Sequence, residues 1–269
     1  MLTLHHNEMS TCSQKVRLTL EEKNLEWQSI HLKLREGEQF DSRYLRLNPR
    51  GVVPTLIHED HVIRESSVIL EYLDEVFPEP SLHPDDSVTR ATMRLWTKQF
   101  DEDLQTSTAI VSMCIAFRHQ FLEKSPDEME TYLQKLPTPA RRKGIMSLIE
   151  SGTSLPQFET AIRRYDTLFT DMEAALTHDQ WLAGDTYSLA DISYTPYLTR
   201  FEHLHLLGML DSRPRLRDWY ERVKQRPSYR TALTNWESPA YFELYNTKAP
   251  QEWPRVQAIL GAPRMTAAH

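Results

Sequence analysis

The chain has 269 residues, 40% of them hydrophobic and 26% charged, with a net charge of −7. This composition suits a soluble protein with one large or two small cores, and the acidic balance lacks the electrostatic footprint of a polyanion binder, so nucleic acid is not an expected partner. Two cysteines, Cys12 and Cys114, exclude a disulfide framework and fit a reducing compartment, while seven glycines in no GxGxxG or Walker arrangement remove the usual nucleotide loops.

In chain order, residues 2–5 read as a short strand. Residues 14–23 read as a helix carrying Val16, Leu18 and Leu20 and stopped by Asn24, and residues 25–32 return to extended chain. After a polar stretch, residues 55–58 and 61–64 are β-prone runs flanking the turn Glu59-Asp60, and residues 66–76 close the segment as an amphipathic helix. The order β-α-β then β-β-α is that of a thioredoxin-like module. The Pro-rich FPEPSLHPDD is an expected linker, and the pattern beyond it is helical over residues 87–117, 156–176, 188–207, 214–226 and 228–236. Residues 137–157 are expected to be a loop-rich insertion.

The predicted fold class is therefore α/β followed by all-α. A thioredoxin-like domain spans residues 1–77, a linker 78–86, a helical domain 87–245, and an extended or disordered tail 246–269. No apolar run approaches the ~20 residues of a membrane helix, and the N-terminus lacks a basic stretch followed by an apolar one, so a cytoplasmic protein with no membrane partner is expected.

The stretch NPRGVVPTLIHEDHVIRESSVILEYL carries the chemistry. Val53-Pro54 is a candidate cis bond, because a tertiary amide has only a weak trans preference, and the kink would turn the Val53 N–H and C=O toward an extended peptide. Glu65-Ser66-Ser67 opens a helix, so the Ser66 hydroxyl and the first-turn N–H groups offer a carboxylate site and Glu65 can meet an ammonium group. Taken singly, a helix-start serine is usually an N-cap worth ~1 kcal/mol, and a Val-Pro before a strand is commonplace. Their order and spacing within twenty or so residues is what makes the tandem specific.

MSTCSQKVRLTLEEKNLEW, NPRGVVPTL, RESSVILEYLDEVFPEPSLHP and DTYSLADI together resemble the cytosolic glutathione transferases, over most of the chain up to about Trp236. The resemblance implies glutathione as co-substrate, held by Val53, Pro54, Glu65 and Ser66, with Gln39 near its glycyl carboxylate and Lys33 or Arg50 in reserve. It also implies a homodimer, and a hydroxyl before the first helix that donates to the bound sulfur. A free thiol of pKa ~8.5 is only about 3% ionised at pH 7, so a lowered pKa is what such a donor supplies. Ser10 stands at the position the resemblance marks. Ser13, followed two residues later by Lys15 as in etherase-like relatives, is its rival, and Thr11 and Cys12 lie between them. Ser188 and Asp191 match the family's buried capping box and are assigned to stability.

RATMRLWTKQFDEDL and PTPARRKG are similar to the β-etherase-like subgroup, in which a thiolate attacks a carbon bearing an aryl ether. This implies a hydrophobic, aromatic acceptor, in a pocket lined from the long helix by Met113 and Phe117, with Trp96 and Phe100 as further lining. Aromatics at helical spacing are more often core than pocket. The histidine pairs at 5/6, 58/61 and 203/205 lack the context of a metal site, so no metal is expected, and Arg141-Arg142-Lys143 reads as a solvated loop. Two other classes remain open: a non-catalytic interaction module of transferase-like fold, and a thiol-disulfide reductase acting through Cys12.

Overall fold

The computed structural model describes residues 1–262. Strand β1 (Leu2–His6) alternates buried Leu2, Leu4 and His6 with half-exposed Thr3 and His5, as a strand covered on one face must. It pairs in parallel with β2 (Trp27–His31) and antiparallel with β3 (Thr55–His58), and β3 pairs antiparallel with β4 (His61–Arg64), giving the order β2-β1-β3-β4. The two-residue turn before β4 holds Glu59 at φ 54.

Helix α1 (Thr11–Glu22) begins three residues earlier than its apolar spacing predicts, because the Ser10 side chain caps it by accepting the Ser13 N–H at 3.3 Å. It packs against α3 (Ser66–Val76) and against the helical half of the molecule, burying Val16, Leu18 and Leu20. Between β2 and β3 lies the short α2 (Ser42–Leu47). Gly51 follows it with φ +58, and a side chain there would meet the Phe40 ring at 2.8 Å, so only glycine lets the chain turn into Val52, Val53 and the cis-bonded Pro54.

The segment joining the two halves is tied down by charge. Lys23 Nζ donates to the carbonyls of Phe77 (2.6 Å) and Pro80 (2.8 Å) and pairs with Asp74. His83 is clamped between Asp74, through Nδ1, and Glu71, through Nε2 at 2.7 Å. The hydrogen bonds to Asp74 and Glu71 raise the His83 pKa to about 9 from its ordinary 6.5. A group whose folded pKa is raised contributes stability that is complete below the unfolded value and lost as pH climbs through the folded one. Denaturant unfolding is therefore expected to show a decline in stability from pH 6.5 to just above 9 that His83→Gln largely removes; equal declines in both proteins would refute the clamp.

The predicted long helix is present but is not uniform. It runs as α4 (Ser87–Gln99), a π-helical turn Phe100–Leu104, α5 (Gln105–Ser112), a second π-turn Met113–Phe117 and α6 (Arg118–Leu122). Each π-turn widens the helix and re-aims its side chains, a device common at functional sites.

Residues 137–157 are not the loop-rich insertion expected from the sequence. With α7 (Pro126–Lys135), which starts on a Ser125/Glu128 capping box, they form α8 (Pro139–Ser151), started by the Thr138 side chain accepting the Arg141 N–H with Pro139 at the first turn. Phe121, Tyr132, Leu136 and Ile149 make a small core of their own. Arg141 is likewise no solvated loop residue: it donates to the Arg50 carbonyl at 3.0 Å and lies over the Phe40 ring.

Helix α9 (Pro156–Ala175) and α10 (Leu189–His203) form the centre of the helical half, with α11 (Pro214–Lys224) and α12 (Pro227–Ala232) beside them. The expected extended tail is also corrected. Helix α13 (Pro239–Lys248), a 3-10 turn Ala249–Glu252 and α14 (Trp253–Gly261) carry the chain onto α9 and bury Tyr245, Ala249, Val256 and Ile259. Pro250 and Pro254 sit in first turns, where a missing N–H costs nothing. Residues 263–269, also assigned to that tail, lie outside the described residues. No helix among the described residues is long and apolar enough to cross a membrane.

Candidate functional site

Two cavities flank the N-terminus of α1. The larger, about 500 Å³, is lined by Cys12 and Lys15 of α1, Arg50, the Val53-Pro54 segment, Glu65, Ser66 and Ser67 at the start of α3, and Phe100, Asp101 and Gln105 of the long helix. The first turn of α3 has no side-chain cap, and the Ser66 hydroxyl has no hydrogen-bond partner among the described residues. Ser67 donates instead to Asp101 at 2.8 Å. Glu65 adopts φ 66, a left-handed conformation costly for a side-chain-bearing residue, and its carboxylate meets the Arg50 guanidinium. Lys15 forms the floor, with its ammonium 4.5 Å from the Phe100 ring centroid; burial lowers its pKa, and Cys12, Asp101 and Glu65 oppose that shift.

Acidic Glu65 and Asp101 thus stand beside basic Arg50, Lys15 and a helix N-terminus. That mixture is complementary to a zwitterion carrying an ammonium and a carboxylate on the same carbon.

The smaller cavity, about 220 Å³, is lined by Ser10 and Thr11, by Met113 and Phe117 of the second π-turn, and by Leu34, Arg35, Ala109, Arg200 and Tyr241 among others. Gln105 lines both cavities, and its Oε1 accepts from the Tyr197 hydroxyl (2.6 Å) and from Thr11 Oγ1 (3.4 Å). The Ser10 oxygen uses a lone pair for the helix cap, which leaves its own hydrogen free to donate.

Of the residues singled out in the sequence, Val53, Pro54, Glu65 and Ser66 come together in the larger cavity, and Ser10, Met113 and Phe117 in the smaller. Others do not join them. Ser13 lines neither cavity: it is 0% exposed and its Oγ accepts the Asn7 N–H at 3.4 Å. Gln39 also lines neither. Its amide donates to the Leu34 carbonyl within its own loop, and its Oε1 is buried without a partner. Trp96 is core, packed edge-on against Tyr194, and Phe100 belongs to the larger cavity rather than to the Met113 side.

Lys15, Gln105, Arg35 and Arg200 were missed as site residues. Lys15 follows Cys12 by one helical turn, and Arg200 is the only arginine on an otherwise apolar and hydroxyl-bearing face of α10, so a signal existed for both. Gln105 and Arg35 carry none.

Comparison with known proteins supplies the family. The model described as the glutathione S-transferase N-terminal domain matches residues 9–76, and that of the C-terminal domain matches residues 155–222. The chain is 29% identical over 235 residues to protein LigF of Sphingobium sp. strain SYK-6, covering 79% of this chain and 90% of the relative. The crystal structure of that β-etherase superposes with a TM-score of 0.76 at 28% identity, over 86% of this chain and 98% of the other. A tetrachloro-p-hydroquinone reductive dehalogenase of Sphingobium chlorophenolicum is 27% identical over 254 residues, 88% of this chain and 98% of the relative.

Proposed function

Because the chain belongs to the cytosolic glutathione transferase family, we propose that it directs the glutathione thiolate onto a carbon of a hydrophobic, aromatic electrophile that carries an aryl ether or a halide as leaving group. One observation carries this reading: a charged, zwitterion-complementary cavity and a small cavity walled by Ser10, Met113 and Phe117 share Gln105 in their linings, beside the N-terminus of α1. The glutamyl end of the tripeptide is held at Glu65, Ser66 and the α3 N-terminus, the cysteinyl backbone at Val53, and the sulfur is directed toward Ser10. The thiol proton leaves to solvent and the Ser10 hydroxyl donates to the sulfur anion. The new C–S bond forms as the C–O or C–halogen bond breaks, and the leaving group departs with the electron pair. The likeness to a β-etherase supports the ether, and the likeness to a dehalogenase supports the halide. A cytoplasmic homodimer belongs to the same proposal.

A second reading has its own support. Cys12 lines the larger cavity and its Sγ lies 4.0 Å from the Tyr197 hydroxyl, so its thiolate is placed to exchange with a glutathione mixed disulfide. Turnover of a panel of aryl ethers and aryl halides with glutathione, read as conjugate and released phenol or halide by mass spectrometry, separates the two. Conjugation that survives Cys12→Ala supports the proposal, and its abolition transfers the chemistry to the cysteine. The cradle is tested by Ser66→Ala, expected to weaken glutathione binding by about tenfold in calorimetry while shifting stability by under ~0.5 kcal/mol; unchanged affinity would remove Ser66 from the cradle.

A further inference from the structure

The small cavity contains two cations with no anion. Arg200, 4% exposed, donates through Nη1 to Ser112 Oγ at 3.0 Å and through Nη2 to the Met9 carbonyl, while its Nε is buried with no acceptor. Arg35 has no hydrogen-bond acceptor or ion-pair partner among the described residues, and its Nε is also buried and unpartnered. Both guanidinium groups lie over one ring, Phe117, at 4.3 Å (Arg35) and 5.0 Å (Arg200) from its centroid. Neither arginine is within ion-pair distance of a carboxylate among the described residues, and Arg200 is unpaired although it is almost fully buried. Burying an uncompensated cation is costly, and a ring face offsets only part of that cost. Two like charges converging on one apolar wall are an anion site awaiting its anion.

We propose that the acceptor of this enzyme bears a carboxylate, which Arg35 and Arg200 bind while its apolar body lies against Met113 and Phe117. The inference rests on the glutathione-transfer reading of the site and narrows its substrate class: a neutral aryl electrophile leaves both guanidinium groups unpaired, and a carboxylated one satisfies them. Arg200 sits on α10 and Arg35 on the loop after β2, so the carboxylate would also bridge the two halves of the molecule.

The test uses two conjugates that differ only at the far end of the acceptor, S-(para-carboxybenzyl)glutathione and S-(para-methylbenzyl)glutathione, titrated calorimetrically into the full chain. Tighter binding of the carboxylate form by about tenfold or more is expected, since hydrogen bonds to charged groups are worth that much. Arg35→Met and Arg200→Met should each bring the ratio of the two affinities toward one, and Arg35→Lys should keep part of the preference. Using the ratio removes any general weakening of the tripeptide site. Should Arg200→Met fail to fold, Arg35→Met decides alone, because Arg35 holds no structural hydrogen bond. Equal affinities for the two conjugates, or an unchanged ratio in the variants, overturns the inference and leaves glutathione binding standing. Equal losses for both conjugates in Arg35→Met would assign that residue to the tripeptide and also overturn it. Failure of both conjugates to bind the unmodified protein would instead refute the glutathione reading itself.

Discussion

Ser10→Ala is expected to lower turnover at neutral pH by about tenfold for each pKa unit that the bound thiol regains, with glutathione affinity nearly unchanged and the rate recovering as pH rises. Affinity persists because the cradle at Val53, Glu65 and Ser66 lies in the other cavity. A hydroxyl that interacts only with the sulfur anion acts on the rate and not on binding. The substitution also removes the α1 cap, which costs about 1 kcal/mol, so a second variant is needed. Glycine at a cap costs only a few tenths of a kcal/mol, and Ser10→Gly should therefore lose the same rate with little loss of stability. Ser13→Ala should leave the pH profile where it was, since its oxygen is buried against the Asn7 N–H. Ultraviolet thiolate absorbance of bound glutathione against pH measures this directly. A shift in neither Ser10 variant would mean that backbone N–H groups and the helix terminus ionise the sulfur unaided, and a shift in Ser13→Ala alone would reverse the assignment.

Asp191→Ala is expected to cost at least about 3 kcal/mol of unfolding free energy, a large share of the 5–15 kcal/mol typical of a folded domain. The fully buried carboxylate accepts from Leu182 N–H (3.0 Å) and Trp219 Nε1 (2.8 Å) on one oxygen, and from Ser188 N–H (3.0 Å) and Oγ (3.3 Å) on the other. Alanine leaves those donors buried and unpaired, at roughly 1–3 kcal/mol each when not relieved by relaxation. Burial pushes the Asp191 pKa up to about 6 against these same bonds. Its contribution therefore has the sign of a raised group: stability is gained as pH falls through 6 toward 3.8. Asp191→Asn keeps an acceptor and removes the charge, so it should lose less than alanine and flatten that pH dependence. Urea midpoints of the three proteins check the order, and a loss below about 1 kcal/mol in Asp191→Ala would show the network to be dispensable.

What the sequence by itself determined is local. The strand alternation of β1, the turn before β4, the Ser188/Asp191 capping box and the run from Val53-Pro54 to Ser66 are each complete within a few residues, because caps, turns and periodicity act over one or two turns of chain. The two-part fold was legible for the same reason. Helix α8 and the terminal helices, expected as a loop-rich insertion and an extended tail, were locally written too, in Thr138-Pro139, Pro250 and Pro254, because a proline that stops one helix also suits the first turn of the next.

Tertiary structure alone decided which of four consecutive polar residues faces which cavity. Successive side chains on a helix point about 100° apart, so placing the α1 start at Thr11 sends Ser10 to the small cavity, Cys12 to the large one and Ser13 into the interior. It also decided that Arg35 and Arg200 meet over Phe117. Contacts across so many residues depend on the phase of every intervening helix, including two π-turns that no periodicity announces, and are selected by the packing of the whole core rather than by any stretch of sequence.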